Sequence, residues 1–282
     1  MLTENEFRTI AFTRGMKMDF EFKEKYNFDD LVEIVRCLRL PDGCPWDKEQ
    51  THKTIRQDFI EETYEVVEAI DNDDPEGLRE ELGDVLLQVV FHTQIEREKG
   101  VFDMNDVAND VCQKMIVRHP HVFGEVKADT TEKVLDNWDK IKMQTKEQSS
   151  QTEAMDSVAR SLPALMRAQK MQKKAAKVGF DFANVSDAAD KVDEELSEFR
   201  QAVSNGSEDE IAEEAGDLLF ASVNAVRLAG VNSEKALYDA CEKFLTRFAQ
   251  VERSLKKQGK DFSECSISEL DSLWEQAKKP QK

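Results

Sequence analysis

Two stretches of the sequence, Glu61–Asp84 and Glu194–Asp217, carry the same arrangement of acids. The first reads EETYE and later EELGD; the second reads EELSE and later EEAGD. Each five-residue word sets two carboxylates three residues apart, which on a helix puts them on one face. A turn must separate the two words of each copy. Asp74-Pro75 reads as a helix cap followed by a first-turn proline, and Ser207-x-x-Glu210 after Asn205-Gly206 reads as a capping box behind a turn. In an antiparallel helix pair, opposed residues have a constant sum of residue numbers. By that rule Glu62 faces Asp84 and Glu65 faces Glu81, while Glu195 faces Asp217 and Glu198 faces Glu214. Four carboxylates are therefore predicted to meet at one level, twice. Such a group repels itself unless cations neutralise it, and an all-oxygen set suits Mg2+, with Mn2+ possible. A solvated acidic face is the plain alternative, and its recurrence in one register argues against it.

The acids are part of a longer repeat. Trp46-Asp47 corresponds to Phe180-Asp181, Lys114-x-x-x-Arg118 to Lys243-x-x-x-Arg247, and Trp138-x-x-x-Lys142 to Trp274-x-x-x-Lys278, at offsets that drift by only a few residues. This is duplication of one domain. Helical periodicity dominates, with segments expected over about 28–40, 54–70, 75–99, 104–118, 157–177, 186–203, 207–229, 233–257 and 268–277, so the expected class is all-α. Residues 1–25 read as an N-terminal extension, 26–146 as the first repeat, 147–156 as a polar linker and 157–282 as the second repeat. Residues 43–51, GCPWDKEQT, read as a structured loop, and the VGFDF stretch at 178–182 takes its place in the second copy. A short helical hairpin leaves an apolar face uncovered, so each copy is expected to complete a four-helix bundle by homodimerisation. Val85, Leu86, Val89 and Val90 are expected on that face.

Charge restricts the partners. A formal net charge of -19 over 282 residues makes a nucleic-acid backbone or an anionic membrane an unfavourable surface to meet. The five cysteines form no C-x-x-C pair, and no apolar run is long enough to span a bilayer, which points to a cytoplasmic protein. Cations, and anions delivered with them, remain as ligands. Lys243 and Arg247 lie one helical turn apart, as do Lys114 and Arg118, and each pair suits adjacent phosphates. Trp274 and Trp138 are large enough to stack on a base or to plug a core. Asn224, two turns after Asp217, is placed to bond a nucleotide or a metal-bound water. Glu194, beside Glu195, is the carboxylate read as a general base or as a support for the adjoining ligand. His119-Pro120-His121 reads as a turn, and Glu49-x-x-His52 stands alone, without the second pair a di-iron bundle needs.

These motifs together resemble the MazG family: E-E-x-x-E then E-x-x-D on a second helix, GCPWDKEQT, RHPHVF at 118–123, SLPALMRAQK at 161–170 and KVGFD at 177–181. The resemblance spans about residues 26–279 and implies tandem all-α domains that hydrolyse nucleoside triphosphates to the monophosphate and pyrophosphate with Mg2+. It implies that Glu195, Glu198, Glu214 and Asp217 hold the metal, with Glu62, Glu65, Glu81 and Asp84 the counterparts in the first repeat. It further implies that Lys191, Val192, Asp193 and Glu194 lie against the nucleotide with Glu213, and that Lys243, Arg247 and Trp274 complete the site. Broad specificity and clearance of unwanted nucleotides are the expected role. A narrow dUTP- or dCTP-type pyrophosphatase is the alternative within enzymes, and a non-catalytic metal-binding dimerisation module is the alternative outside them.

Overall fold

A computed structural model of the chain describes residues 20, 22–124, 126, 130, 133, 134, 138, 141 and 150–279. These residues are helical with no strand among them, and they fall into two compact units, Met1–Ile141 and Lys142–Lys282. Most of the expected N-terminal extension lies outside the described residues, as does Lys142.

In the first unit, α1 (Phe28–Arg39), α2 (Pro45–Glu49), α3 (Arg56–Asp71), α4 (Pro75–Glu98), α5 (Met104–Arg118) and the single turn α6 (Pro120–Phe123) follow in order. Asn27 and Asp30 cap α1 reciprocally, and Asp74 accepts from the backbone N–H groups of Glu76 and Gly77 at the start of α4. The helices α3 and α4 form the acidic hairpin, and α1 and α5 pack on α4. Val35, Ile55, Val90, Phe91 and Ile95 make the core. Val90 is fully buried there, which corrects its expected place on an uncovered face. That face is instead carried by Tyr64, Val67, Leu82 and Leu86, all exposed within the chain.

One arginine fastens the first unit. The Arg39 guanidinium lies over the Phe91 ring at 5.2 Å, pairs with both Glu98 carboxylate oxygens at 2.8 and 2.9 Å, and donates to the backbone oxygens of Asp47 and Gln50. Glu98 is consequently held below the ordinary carboxylate range, chiefly by its hydrogen bonds from Arg39. The CPWD stretch is thereby tied to α1 and α4, and Pro45–Glu49 is a short helix where the sequence suggested a loop. Proline at its first position fits a helix start, because the missing N–H is not needed there.

The second unit contains α7 (Gln151–Asp156), α8 (Ala164–Ala176), α9 (Val185–Asn205), α10 (Glu208–Leu228), α11 (Ser233–Gln258), a 3-10 turn (Phe262–Glu264) and α12 (Ile267–Ala277). The helix α7 occupies sequence that shows no periodicity; a reciprocal Ser150–Glu153 capping box starts it and burial of Ala154 anchors it. Here α9 and α10 are the acidic hairpin, α8 packs on α10 and α11, and α12 packs on α11. Two buried glutamines set α8 in place. Gln169 donates to the Val231 oxygen and accepts from the Ser233 N–H, while Gln172 donates to the Phe220 oxygen. Gly179 has φ +83°, a left-handed conformation that turns the VGFDF stretch out of α8.

Candidate metal and nucleotide site

The hairpin register predicted from the sequence brings the acids together, but each cluster closes on three groups. One oxygen each from Glu62, Glu81 and Asp84 lie within 4.8 Å of one another, and the same holds for Glu195, Glu214 and Asp217. Glu65 and Glu198 stand beside these triads. Desolvation and the adjacent carboxylates push Glu62, Glu81 and Glu198 above the ordinary carboxylate range; Glu65 contributes in the first unit, and Glu195 and Glu214 act on Glu198. Three carboxylates held this close by two helices, with a fourth beside them, form an oxygen-only donor set of the kind that fits Mg2+ or Mn2+.

The two clusters differ in their cations. Lys191, one turn before Glu195, donates to the Glu194 carboxylate at 2.8 Å and pairs with Glu195 at 2.7 Å. Those contacts, Glu194 first, hold Lys191 well above the ordinary lysine range. Glu195 is itself buried, at 7% exposure, whereas its counterpart Glu62 is half-buried and has Asp58 one turn before it. The adjacent Val192 is half-buried, while Asp193 and Glu213 are exposed beside their respective acidic words.

The residues expected around the clusters are placed less uniformly. Trp274 packs against Phe244 with ring centroids 5.1 Å apart, next in sequence to Lys243, so its indole plugs α12 onto α11. In the first unit the Arg118 guanidinium lies over the Trp138 ring at 5.3 Å. Lys114 and Lys243 are exposed, and Arg247 is half-buried. Among the described residues no ion pair joins Lys114, Arg118, Lys243 or Arg247 to either acidic cluster.

Asn224 sits in a network that sequence spacing alone did not reveal. The Arg227 guanidinium donates to its Oδ1 from Nε at 2.9 Å and from Nη2 at 2.7 Å, and also pairs with Asp181 of the VGFDF stretch. The signal available in the sequence was the i, i+3 spacing of Asn224 and Arg227 on one helix face. A second network, in the first unit, is formed by His52, His92 and Glu96. The two imidazole Nδ1 atoms are 2.7 Å apart, the His52 Nε2 meets the Glu96 carboxylate, and Lys99 pairs with that carboxylate. Burial and the neighbouring His52 push His92 below the ordinary histidine range. The corresponding position in the second unit is Ala225, so this network belongs to the first unit alone.

Two recurrent glycines complete the picture. Gly83 and Gly216 precede Asp84 and Asp217 in mid-helix, and an added Cβ at either would meet no atom within 4 Å.

Fold and site together define, among the described residues, an all-helical protein of two units with one carboxylate cluster held by a helical hairpin in each. Residues 50–123 match the model of the MazG nucleotide pyrophosphohydrolase domain, and residues 162–243 match that of phosphoribosyl-ATP pyrophosphohydrolase. The chain is 46% identical over 256 residues to a nucleoside triphosphate pyrophosphohydrolase of Escherichia coli, covering 89% of this chain and 97% of that one. It is 42% identical over 251 residues to the nucleoside triphosphate pyrophosphohydrolase/pyrophosphatase MazG of Thermotoga maritima, covering 89% and 95%. An uncharacterised Bacillus subtilis protein, YabN, is 45% identical over 258 residues, which make up 91% of this chain and 53% of YabN. The chain belongs to the MazG family of nucleoside triphosphate pyrophosphohydrolases. No described helix is long and apolar enough to cross a membrane.

Proposed function

We propose that the chain hydrolyses nucleoside triphosphates to the monophosphate and pyrophosphate in a Mg2+-dependent reaction, with broad base specificity and its main site in the second unit. The observation that carries this reading is the Glu195–Glu214–Asp217 triad with Lys191 beside it. The three oxygens, with Glu198 adjoining, would hold the cation. Bound there, Mg2+ would supply charge neutralisation for the phosphates and a site for water. Lys191, on the same helix face, offers an ammonium to a phosphate oxygen within one turn of those ligands. Glu194, exposed and hydrogen-bonded by Lys191, stands outside the triad and is the carboxylate suited to accept the proton of the attacking water. Lys243 and Arg247 lie one turn apart on α11, a spacing that suits adjacent phosphates of the leaving group.

Product analysis with a panel of nucleotides tests this directly. Monophosphate and pyrophosphate are expected with Mg2+ and not with chelator; diphosphate and orthophosphate as first products would refute it. The exposed Tyr64, Val67, Leu82 and Leu86 on the first hairpin, like Leu219 and Phe220 on the second, support covering of both hairpins by a second copy of this chain. Light scattering should give twice the chain mass, and a fully active monomer would exclude it.

A further inference from the structure

We infer that Arg227, braced by Asp181, fixes which end of the Asn224 amide faces the substrate and thereby makes this position a hydrogen-bond donor to the nucleoside portion of the nucleotide. The inference rests on the nucleotide-hydrolase reading of the second unit and names a positioning residue within it. An asparagine amide has an acceptor end and a donor end of nearly equal shape, so its orientation is set by its neighbours. Arg227 removes the ambiguity, because a guanidinium has donors only. Its Nε and Nη2 both donate to Asn224 Oδ1, at 2.9 and 2.7 Å, which occupies both lone pairs of that oxygen. The two Nδ2–H groups are left pointing away from Arg227, and among the described residues no acceptor takes them.

The arginine is itself held. Its side chain is 9% exposed, and Nη2 also donates to Asp181 Oδ1, whose side chain is 20% exposed. Asp181 follows the left-handed turn at Gly179, so the VGFDF stretch positions a carboxylate behind the guanidinium. Rotating the Asn224 amide would set its N–H groups against the guanidinium and remove the acceptor from Nε and Nη2 of a side chain that is largely out of solvent.

The location of Asn224 states what it meets. Seven residues beyond Asp217 on α10, it lies on nearly the same face and about 10 Å further along the axis. That is too far for a ligand of the same cation. A substrate anchored through its phosphates at the triad presents sugar and base at such a distance, and both carry acceptor oxygens or ring nitrogens. The first unit lacks the device: its corresponding residues are Phe91, buried in the core, and Gln94.

The test is a double-mutant cycle on the full chain with Mg2+, reading steady-state hydrolysis and the Kd of an α,β-methylene triphosphate analogue. Arg227→Met and Asn224→Ala are each expected to raise KM and Kd by about tenfold, the size of one hydrogen bond, with kcat changed less than about twofold. The double variant is expected to be no weaker than Asn224→Ala, because Arg227 acts through Asn224. Arg227→Lys, which keeps a donor for Asn224 and a charge for Asp181, should restore part of the loss. A double variant weaker by the product of the two single effects, or an unchanged KM in Arg227→Met, would overturn the inference. Should Arg227→Met fail to fold, Asn224→Asp decides: it keeps the Arg227 pair but has no N–H, so wild-type affinity in that variant overturns the inference as well. Absence of triphosphate hydrolysis by the wild-type chain across bases would instead overturn the parent reading, and the inference with it.

Discussion

Replacing Glu195 with Gln changes one formal charge at the most buried position of the second cluster, and its consequence is calculable with and without metal. Without metal two effects oppose each other. The Lys191 ion pair to this carboxylate is lost, and so is one of the groups that push Glu198 upward. Lys191 is about one-third exposed, so screening reduces the first effect, and the two opposing changes should leave the metal-free stability little altered. With Mn2+ present the loss is one-sided. At a concentration about 100 times the Kd, the intact cluster gains about 2.7 kcal/mol by linkage, whereas a site weakened about 100-fold gains about 0.4 kcal/mol. The difference of about 2.3 kcal/mol corresponds to a Tm gap of roughly 5–9 °C for a chain of this size. Scanning calorimetry of wild type and Glu195→Gln, each with Mn2+ and with chelator, measures it, and Glu62→Gln identifies which transition belongs to which unit. If Glu195→Gln is stabilised by Mn2+ as strongly as wild type, the triad is not the cation site and the reasoning from donor geometry is wrong.

Three further outcomes follow from the same structure. Glu198→Ala should lose most pyrophosphate release while Glu65→Ala keeps most of it, because Lys191 in the second unit stands where the first has Asp58, a reversal of charge where a triphosphate approaches; the opposite pattern would reassign the active unit. His92 is held below its ordinary range by burial and by the neighbouring His52, so the stability contributed by its neutral form is full above about pH 6.5 and is lost as pH falls below that value. The thermal stability of the first unit should therefore fall as pH drops below about 6.5 in wild type and less so in His92→Gln; equal slopes would contradict the pairing. Val90→Ala, at a site with no exposure, should cost about 2–3 kcal/mol by denaturant titration, against under about 0.5 kcal/mol for the exposed Val101→Ala, and similar costs at both sites would contradict the core assignment.

Helix type and hairpin register were legible in the sequence because both rest on local chemistry. Caps at Asp74 and Ser207 fix where the second helix of each hairpin starts, and a fixed turn then dictates which acids oppose. Burial along α4 was less legible. Val85 through Phe91 form an apolar stretch broken only by Gln88, and only the packing of α1 and α5 decides that Val90 and Phe91 turn inward while Leu86 stays open. The long-range links of the arginine and histidine networks were not legible, since Arg39–Glu98, Arg227–Asp181 and His52–His92 join residues far apart in sequence, and only the local Asn224–Arg227 spacing left a signal. Distance along the chain carries no information about such pairs until the helices that hold them are packed. The aromatic residues show the same limit: Trp274 suited either a base or a core by composition, and its contact with Phe244 is a property of the α11–α12 packing.

The open glycines have a practical meaning for anyone engineering this chain. A helical interior favours alanine over glycine by about 1 kcal/mol, and Gly83 and Gly216 forgo that gain although nothing in the chain crowds them. Alanine at either position is thus a built-in probe of proximity: it should stiffen the isolated helix, and any accompanying fall in catalysis or assembly would report how closely a second body passes over the backbone beside Asp84 or Asp217.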